Sequence, residues 1–321
     1  VWAYETTPGT AAITVAASTS YEFGQYDPSI EKWQNPTIEN VILEYLKYNR
    51  RTPYLEDGKR SFPTFKNVFN PTTAQFLVWI LGKCTSGTPN TAEPLDQGSQ
   101  YPLTIRHEQY GGTNEQLQQA VGSYCVSAYG RAQAGSNFTV ELDWAFQKIE
   151  DEGDASRDIL TTTPTKAGGS DEVDAYVSHT ITYDKGGGGE AVIPECVKAE
   201  FRIKQDWKGA LNGSATQQTV YKYQYKPVEL ILTAILEDNA SWNDLIDRNV
   251  KDYELALYKP DESYYIKILF DACRVQKIVK SGWAYKGYYE ASLILLAEEI
   301  TVTFVRQGSG TFSDHYKGEV V

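Results

Sequence analysis

The chain reads as mainly β, with a short helix flanking the strands and the whole pattern occurring twice in tandem. Three observations point there. Aromatic residues make up 13% of the 321 residues, with 23 Tyr and 7 Trp, and aromatic side chains favour strands over helices. Residues 138–146, FTVELDWAF, alternate apolar and polar as a half-buried strand does. The order strand, long loop, strand, helix, three strands then recurs in the second half, with little identity between the matching segments.

Residues 1–20 are small, polar and irregular and read as an arm. A first domain covers 21–150. It opens with the strand TIENVILEYLKY (37–48). NRRTPYLEDGKRSF (49–62) is charged, interrupted by Pro53 and turned at Gly58, which predicts a long hairpin loop. SFPTFKNVF (61–69) returns from it toward NPTTAQFLVWILGK (70–83), the clearest helix in the chain. Asn70 is its expected N-cap, Pro71 suits the first turn and Gly82 its stop. Ala74, Leu77, Val78 and Leu81 form one apolar stripe. Phe76, Trp79 and Ile80 are apolar as well, so the helix lacks the polar face of a surface helix. It is too short to cross a bilayer, which takes roughly 20 apolar residues. It therefore needs a second burial partner, in this chain or on another copy. KCTSGTPNTAEPLDQGSQ (83–100) predicts a loop, followed by strands over 101–110, 122–132 and 137–149.

Residues 151–190 are acidic and rich in Gly, Thr and Ser, and predict a linker. The cluster Glu150, Asp151, Glu152, Asp154 lacks the ligand spacing of an EF-hand. KGGGGE (185–190) lacks the spacing of a phosphate-binding loop. A second domain, 191–305, carries strands at 196–205, 219–238, 252–259, 263–280 and 286–304, a loop at 206–218, and a helix at 241–249 with Ser241 as N-cap. A tail, 306–321, ends the chain.

Composition narrows function. The net charge of −12 disfavours a protein that grips nucleic acid by its phosphates, while leaving room for a wall that DNA slides past. The four cysteines form no CxxC, which predicts buried free thiols instead of a zinc or redox site. His107, His179 and His315 have no GxSxG, HExxH or cysteine partner in the sequence. No catalytic residue, metal ligand or cofactor is therefore assigned. The many Tyr and Trp could stack on sugars, which makes a carbohydrate-binding β-sandwich adhesin the alternative from another functional class. Nothing reads as a signal peptide or membrane span. Val1 is expected to follow a removed initiator methionine, and the chain to be made in a cytoplasm.

The segments YETTPGT, NRRTPYLEDGKRSFPTFKNVF running into NPTTAQFLVWILGK, YPLTIRHEQYGG, and VGSYCVSAYGRAQAGSNFTVELDWAFQKI resemble the tail tube proteins of long-tailed bacterial or archaeal viruses. The resemblance covers roughly residues 1–150, and 190–305 more loosely. It implies a β-sandwich-like barrel with one flanking helix. Six such domains form each ring, and stacked rings form a hollow tube around DNA. With two copies per chain, it implies three chains per ring and pseudo-sixfold symmetry. The implied partners are other copies of the chain and the tape measure, terminator and baseplate proteins of a virion tail made in a host cytoplasm. A baseplate or tail-tip ring protein is the alternative within the family. On this reading Arg50, Arg51, Glu56, Asp57, Lys59 and Arg60 reach into the adjacent ring, and Phe76, Trp79 and Ile80 face a neighbouring subunit. The lumen is expected to be acidic or neutral, with Glu39, Glu44, Glu141 and Asp143 as candidate lining. DNA passes without specific binding, and no cofactor or membrane is involved.

Overall fold

The computed structural model describes residues 2–5, 9, 13, 23–24, 40–45, 54–60, 64–85, 90–94, 102–109, 116–151, 174–184, 190–193, 196–211, 218–236, 250–260, 264–283 and 289–306. The first half contains β1 (Trp2–Tyr4), β2 (Asn40–Tyr45), β3 (Tyr54–Arg60), β4 (Thr64–Phe69), α1 (Gln75–Leu81), β5 (Gly82–Thr85), β6 (Asn90–Pro94), β7 (Leu103–Gln109), β8 (Gln116–Gln133), β9 (Thr139–Ala145) and β10 (Lys148–Asp151). The second half contains β11 (Ser178–Asp184), β12 (Glu190–Val192), β13 (Cys196–Leu211), β14 (Gln218–Tyr225), β15 (Val228–Leu236), β16 (Lys251–Tyr258), β17 (Tyr264–Trp283), β18 (Tyr289–Ala297) and β19 (Glu299–Arg306). The protein is mainly β, as its alternating, aromatic-rich segments predict.

Among the described residues, 17 strands share one antiparallel hydrogen-bonded network, and β2 and β3 form a separate two-stranded ribbon. The network holds more than one sheet because its two longest strands change partners partway along. β8 lies between β7 and β10 up to about Val121, and between β9 and β13 further on. β17 lies between β16 and β19 up to Asp271, and beside β18 from Arg274 on.

These parallel habits reveal the repeat. The set β1, β7, β8, β10 is paired as β11, β16, β17, β19 are, and β4, β9, β8 as β15, β18, β17 are. The irregularities recur too. Register breaks opposite Thr104 and opposite Asp252 place Gly122 and Ala272 in left-handed conformations, with φ of 67° and 51°. A second bulge follows at Val126 in β8 and at Gln276 in β17, at the same spacing from the first. A bulge bends a strand and sharpens its twist, which is how one strand leaves one sheet and enters another.

Each bulge places a carboxylate on the turned amide. The Gly122 N–H donates to Glu5 Oε1 at 2.7 Å, and the Thr104 hydroxyl donates to the same oxygen at 2.8 Å. The Ala272 N–H donates to Asp252 Oδ1 at 2.9 Å, from the position on β16 that Thr104 holds on β7. In the first half the acid thus comes from the end of β1, and in the second half from the neighbouring strand.

The core is continuous across the two halves. Ring contacts run from Phe76 of α1 to Phe138, then to Phe201 of β13 and Phe270 of β17, with centroids 5.8, 6.2 and 6.1 Å apart. Gly130 permits this: a Cβ there would lie 2.3 Å from the Phe201 ring. Trp144, fully buried, donates its indole N–H to Asn67 Oδ1 at 2.7 Å.

Several local expectations need correction. Residues 54–60, expected within a loop, form β3 and pair with β2. A backbone ladder tolerates charged side chains wherever a strand face meets solvent. Residues 206–211 likewise extend β13 and pair with β14. The expected 83–100 loop contains β5 and β6, and β6 pairs with β19 of the second half. Trp2–Tyr4, expected as part of an arm, pairs with β7. Within the expected linker, Asp151 completes β10 and residues 178–184 form β11, the counterpart of β1. Asn70 closes β4 and accepts a hydrogen bond from the Thr139 hydroxyl instead of capping α1, which starts at Gln75. The helix expected at 241–249 lies outside the described residues.

The repeat predicts a stabilising substitution. Ala272 carries a Cβ in a conformation its counterpart fills with glycine, at a cost of about 1 kcal/mol. Ala272→Gly should raise the urea midpoint by the equivalent of about 0.5–1 kcal/mol. Gly122→Ala should lower it, since a Cβ there also meets the Gln147 side chain at 2.7 Å.

Candidate functional site

The features that stand out as functional are a sheet edge left without a second partner among the described residues and a charged face beside it. Both belong to the sheet that joins the two halves, in the order β4, β9, β8, β13, β15, β18, β17. The central strand β13 is paired on both sides. Ala199 stands opposite Ala132 of β8 and opposite Leu232 of β15. The sheet ends at β4 and at the second part of β17, each with one partner among the described residues. By the repeat, β17 corresponds to β8 and β4 to β15. The two open edges are therefore the counterparts of the two edges that β13 bridges.

Burial reports the difference directly. Ala128 of β8, opposite Ile203 of β13, is 1% exposed, whereas its counterpart Ile278 on β17 is 37% exposed. Large aliphatic side chains on an open strand edge form a template for further pairing.

The solvent face of the same sheet is charged over β4, β9, β8 and β13. It presents Lys66 of β4, Glu141 and Asp143 of β9, Arg131 of β8, and Lys198, Glu200, Arg202 and Lys204 of β13. Neighbouring strands place opposite charges side by side. Lys66 pairs with Glu141 and lies 3.8 Å from Asp143. Glu200 lies 2.7 Å from Lys198 and 3.9 Å from Arg131, and accepts the Tyr129 hydroxyl. Arg202 sits over the Tyr129 ring at 5.1 Å and 4.0 Å from Glu229 of β15. The bond to Glu141 holds the Lys66 ammonium above the usual lysine range. Burial, with the Glu200 carboxylate beside it, raises the Tyr129 phenol. Further along the same face lie half-buried Ile231, Ile294 and Leu296, with Glu229 and Arg274 opposite Leu296 and Lys277 opposite Ile294, around a Thr233–Ser292 hydroxyl contact of 3.0 Å.

The residues singled out from sequence fall in four places. Glu141 and Asp143 lie on this solvent face. Glu44 is in β2, and Glu56, Asp57, Lys59 and Arg60 are in β3, with Asp57 opposite Ile42 and Arg60 opposite Asn40. Glu39, Arg50 and Arg51 lie outside the described residues. Phe76, Trp79 and Ile80, expected at a subunit boundary, are instead buried within one chain at 1%, 5% and 0% exposure. Trp79 packs against Phe23 and Trp144 at 5.2 and 5.5 Å, and the Ile80 carbonyl accepts the Gln205 side-chain amide. The second burial partner of α1 is its own chain, which packs β8, β6 and β5 against the helix and Phe23 and Trp144 against Trp79.

Sequence reading missed the edge and the buried acid. The signal for the edge is length: SYYIKILFDACRVQKIVK is too long for a strand in a single sheet. Cys125 and Cys273 are buried free thiols, as their isolated positions predict, and burial pushes Cys273 up to about 12. Among the described residues no cluster of His, Cys, Asp or Glu is arranged to hold a metal, and no helix is long and apolar enough to cross a membrane.

No protein-family model matches the chain, and no curated protein matches it. Among solved structures, it aligns with one titled the anti-feeding prophage cap, a tube terminating cap seen by cryo-electron microscopy. The alignment covers 48% of this chain and 99% of that one, at 11% identity and a TM-score of 0.31. At those values the function has to be argued from the geometry.

Glu5 gives a pH-dependent prediction. Burial raises its carboxyl above the ordinary value of 4.5, against the pull of Gly122, Thr104 and Gly9. A carboxyl whose folded pKa lies above its unfolded one contributes most below the unfolded value, and loses that contribution as pH rises through the folded one. The stability difference between the native chain and Glu5→Gln should therefore favour the native chain more at pH 4 than at pH 7, measured by urea unfolding. A difference that grows in the native chain's favour on going to pH 7 would contradict this.

Proposed function

We propose that the chain is a structural, self-assembling component of a viral tail, forming rings that stack into a hollow tube through which DNA passes. The observation that carries this reading is the open edge of β17. Within the chain, β13 joins the two halves by lying between β8 and β15. The same junction recurs between chains if a strand from a second copy lies between β17 of one copy and β4 of the next. Such a contact is head-to-tail, and head-to-tail contacts close into rings when the rotation allows. Two equivalent halves per chain and three chains per ring give six similar units. Stacking, terminator, tape measure and baseplate contacts belong to this reading, and catalysis does not. A tail-tip ring protein uses the same edge without elongating, and a sugar-binding adhesin needs no edge at all.

Electron microscopy of the purified protein tests it. Hollow tubes built of rings with threefold symmetry are expected. Ile278→Lys with Val279→Lys, which places charge on the edge as natural proteins do to block pairing, should leave folded, unassembled chains by light scattering and circular dichroism. Isolated rings that do not stack would favour the tail-tip protein, and monomers that bind glycans the adhesin. Assembly unchanged by the two lysines would remove the edge from the account.

A further inference from the structure

β11 carries His179 opposite Leu257 of β16, on the side of the strand that also holds buried Ile181 and Tyr183. Its imidazole bonds to the backbone of Cys196, the first residue of β13, and that bond favours the protonated ring. A ring N–H therefore donates and the Cys196 carbonyl accepts. The donor is Nδ1, because Nε2 is buried and has no hydrogen-bond partner among the described residues. The accepting residue lies at an irregular place. The register of β13 on β15 breaks between Cys196 and Lys198, and the Val197 carbonyl inside that break accepts the N–H of Ala134, the residue that follows β8. The start of the strand that joins the two halves is thus held by β11 of the second half and by the end of β8 of the first.

Neutral and protonated imidazole differ sharply in this position. The neutral ring has only a lone pair at Nε2. The protonated ring has an N–H there, buried without an acceptor, and a charge that burial disfavours. Burial holds the imidazole below its ordinary value of 6.5, against the pull of the Cys196 carbonyl. The buried side around it offers no counter-charge. β16 presents Leu257, with Tyr253 further along, and β13 presents the Cys196 thiol. Tyr176, which leads into β11, has the Lys259 ammonium 5.7 Å from its ring centre. Lys198 and Glu200 of β13 and Arg131 of β8 are engaged with one another on the solvent face.

We propose that His179 is an acid-sensitive fastener at the junction of the two halves, holding the start of β13 while neutral and releasing it when protonated. The inference does not depend on the tube reading. A base whose folded pKa is depressed supports the fold above its unfolded value and withdraws that support as pH falls below about 6.5. The opening is local, at the end of one strand, while the rest of the sheet stays paired. Glu5 titrates in the opposite direction and cannot mimic the loss.

Cys196 reports the opening. Its thiol is half-buried, donates to the Lys198 carbonyl at 3.4 Å, and is pushed up to about 11 by burial. The probe is dithiodipyridine: the thiolate attacks its disulfide, a mixed disulfide forms and thiopyridone leaves. The modified cysteine is identified by mass spectrometry. Each rate is divided by that of the urea-unfolded chain at the same pH, which removes the effect of thiolate fraction. Between about pH 7.5 and about pH 5 the native chain should lose protection at Cys196 by roughly five- to thirtyfold, the upper figure being the limit for an imidazole of ordinary pKa in the open state. Cys273, buried in β17, should keep its protection. His179→Asn retains an N–H donor for the Cys196 carbonyl and does not titrate, so its Cys196 protection should change less than about twofold. Protection of Cys196 that ignores pH in the native chain would overturn the inference, as would an equal loss in His179→Asn. Should that variant fold poorly by circular dichroism, the native chain decides alone. Loss at Cys196 with Cys273 still protected supports the fastener, and equal loss at both cysteines marks general acid loosening and overturns it.

Discussion

The double pairing of β13 is the constraint on which the rest of the structure depends. That strand belongs to the second half of the chain, yet one of its edges is given to β8 of the first half and the other to β15 of its own. A strand hydrogen-bonded on both sides cannot shift by one residue without turning its apolar side chains to solvent on both partners at once. Phe201 makes the register more demanding still, because it fits only over Gly130, where no Cβ exists to meet its ring. The two halves are therefore neighbouring parts of one sheet with one core, and α1, Phe138 and Gln205 close that core from the side.

The repeat shows how far side chains can diverge while the backbone holds its plan. Both long strands bend at a left-handed residue and both turned amides find a carboxylate, but the solutions differ. One half uses Gly122 and an acid from the end of β1; the other keeps alanine and takes its acid from β16. What is retained is the place where the strand changes sheets and the need to satisfy a buried donor there. The side chains that meet this need are interchangeable.

That divergence explains what could be read in advance. Strand-rich character was legible, because alternation in FTVELDWAF and the aromatic content depend on local chemistry. The recurrence of order was legible as well, since it needs no residue identity. Strand boundaries inside charged stretches were not. YLEDGKR and the end of β13 look like loops by composition, and backbone pairing alone places few demands on side chains. The location of the helix was legible but its partner was not. An all-round apolar helix implies two covered faces, and nothing in a sequence says whether the second cover comes from β5 and β6 of the same chain or from another copy. Of the candidate site, Glu141 and Asp143 were visible as the outward set of an alternating strand. Their partner Lys66 comes from β4, about 75 positions away, and only the pairing register brings them together.

Tandem duplication also changes what an open edge can do. Two separate copies of a half would offer identical edges at every junction, and each junction would form only at the concentration of the free chains. Joining them makes one junction of every two intramolecular, at an effective concentration set by the intervening chain. That internal junction is the one β13 occupies. Among the described residues β17 and β4 keep an edge with one partner each, and on β17 Ile278 stays exposed. Joining the halves further frees them to differ. The ion pairs of β4, β9, β8 and β13 lie where the two halves meet, and the Thr233–Ser292 contact lies wholly in the second.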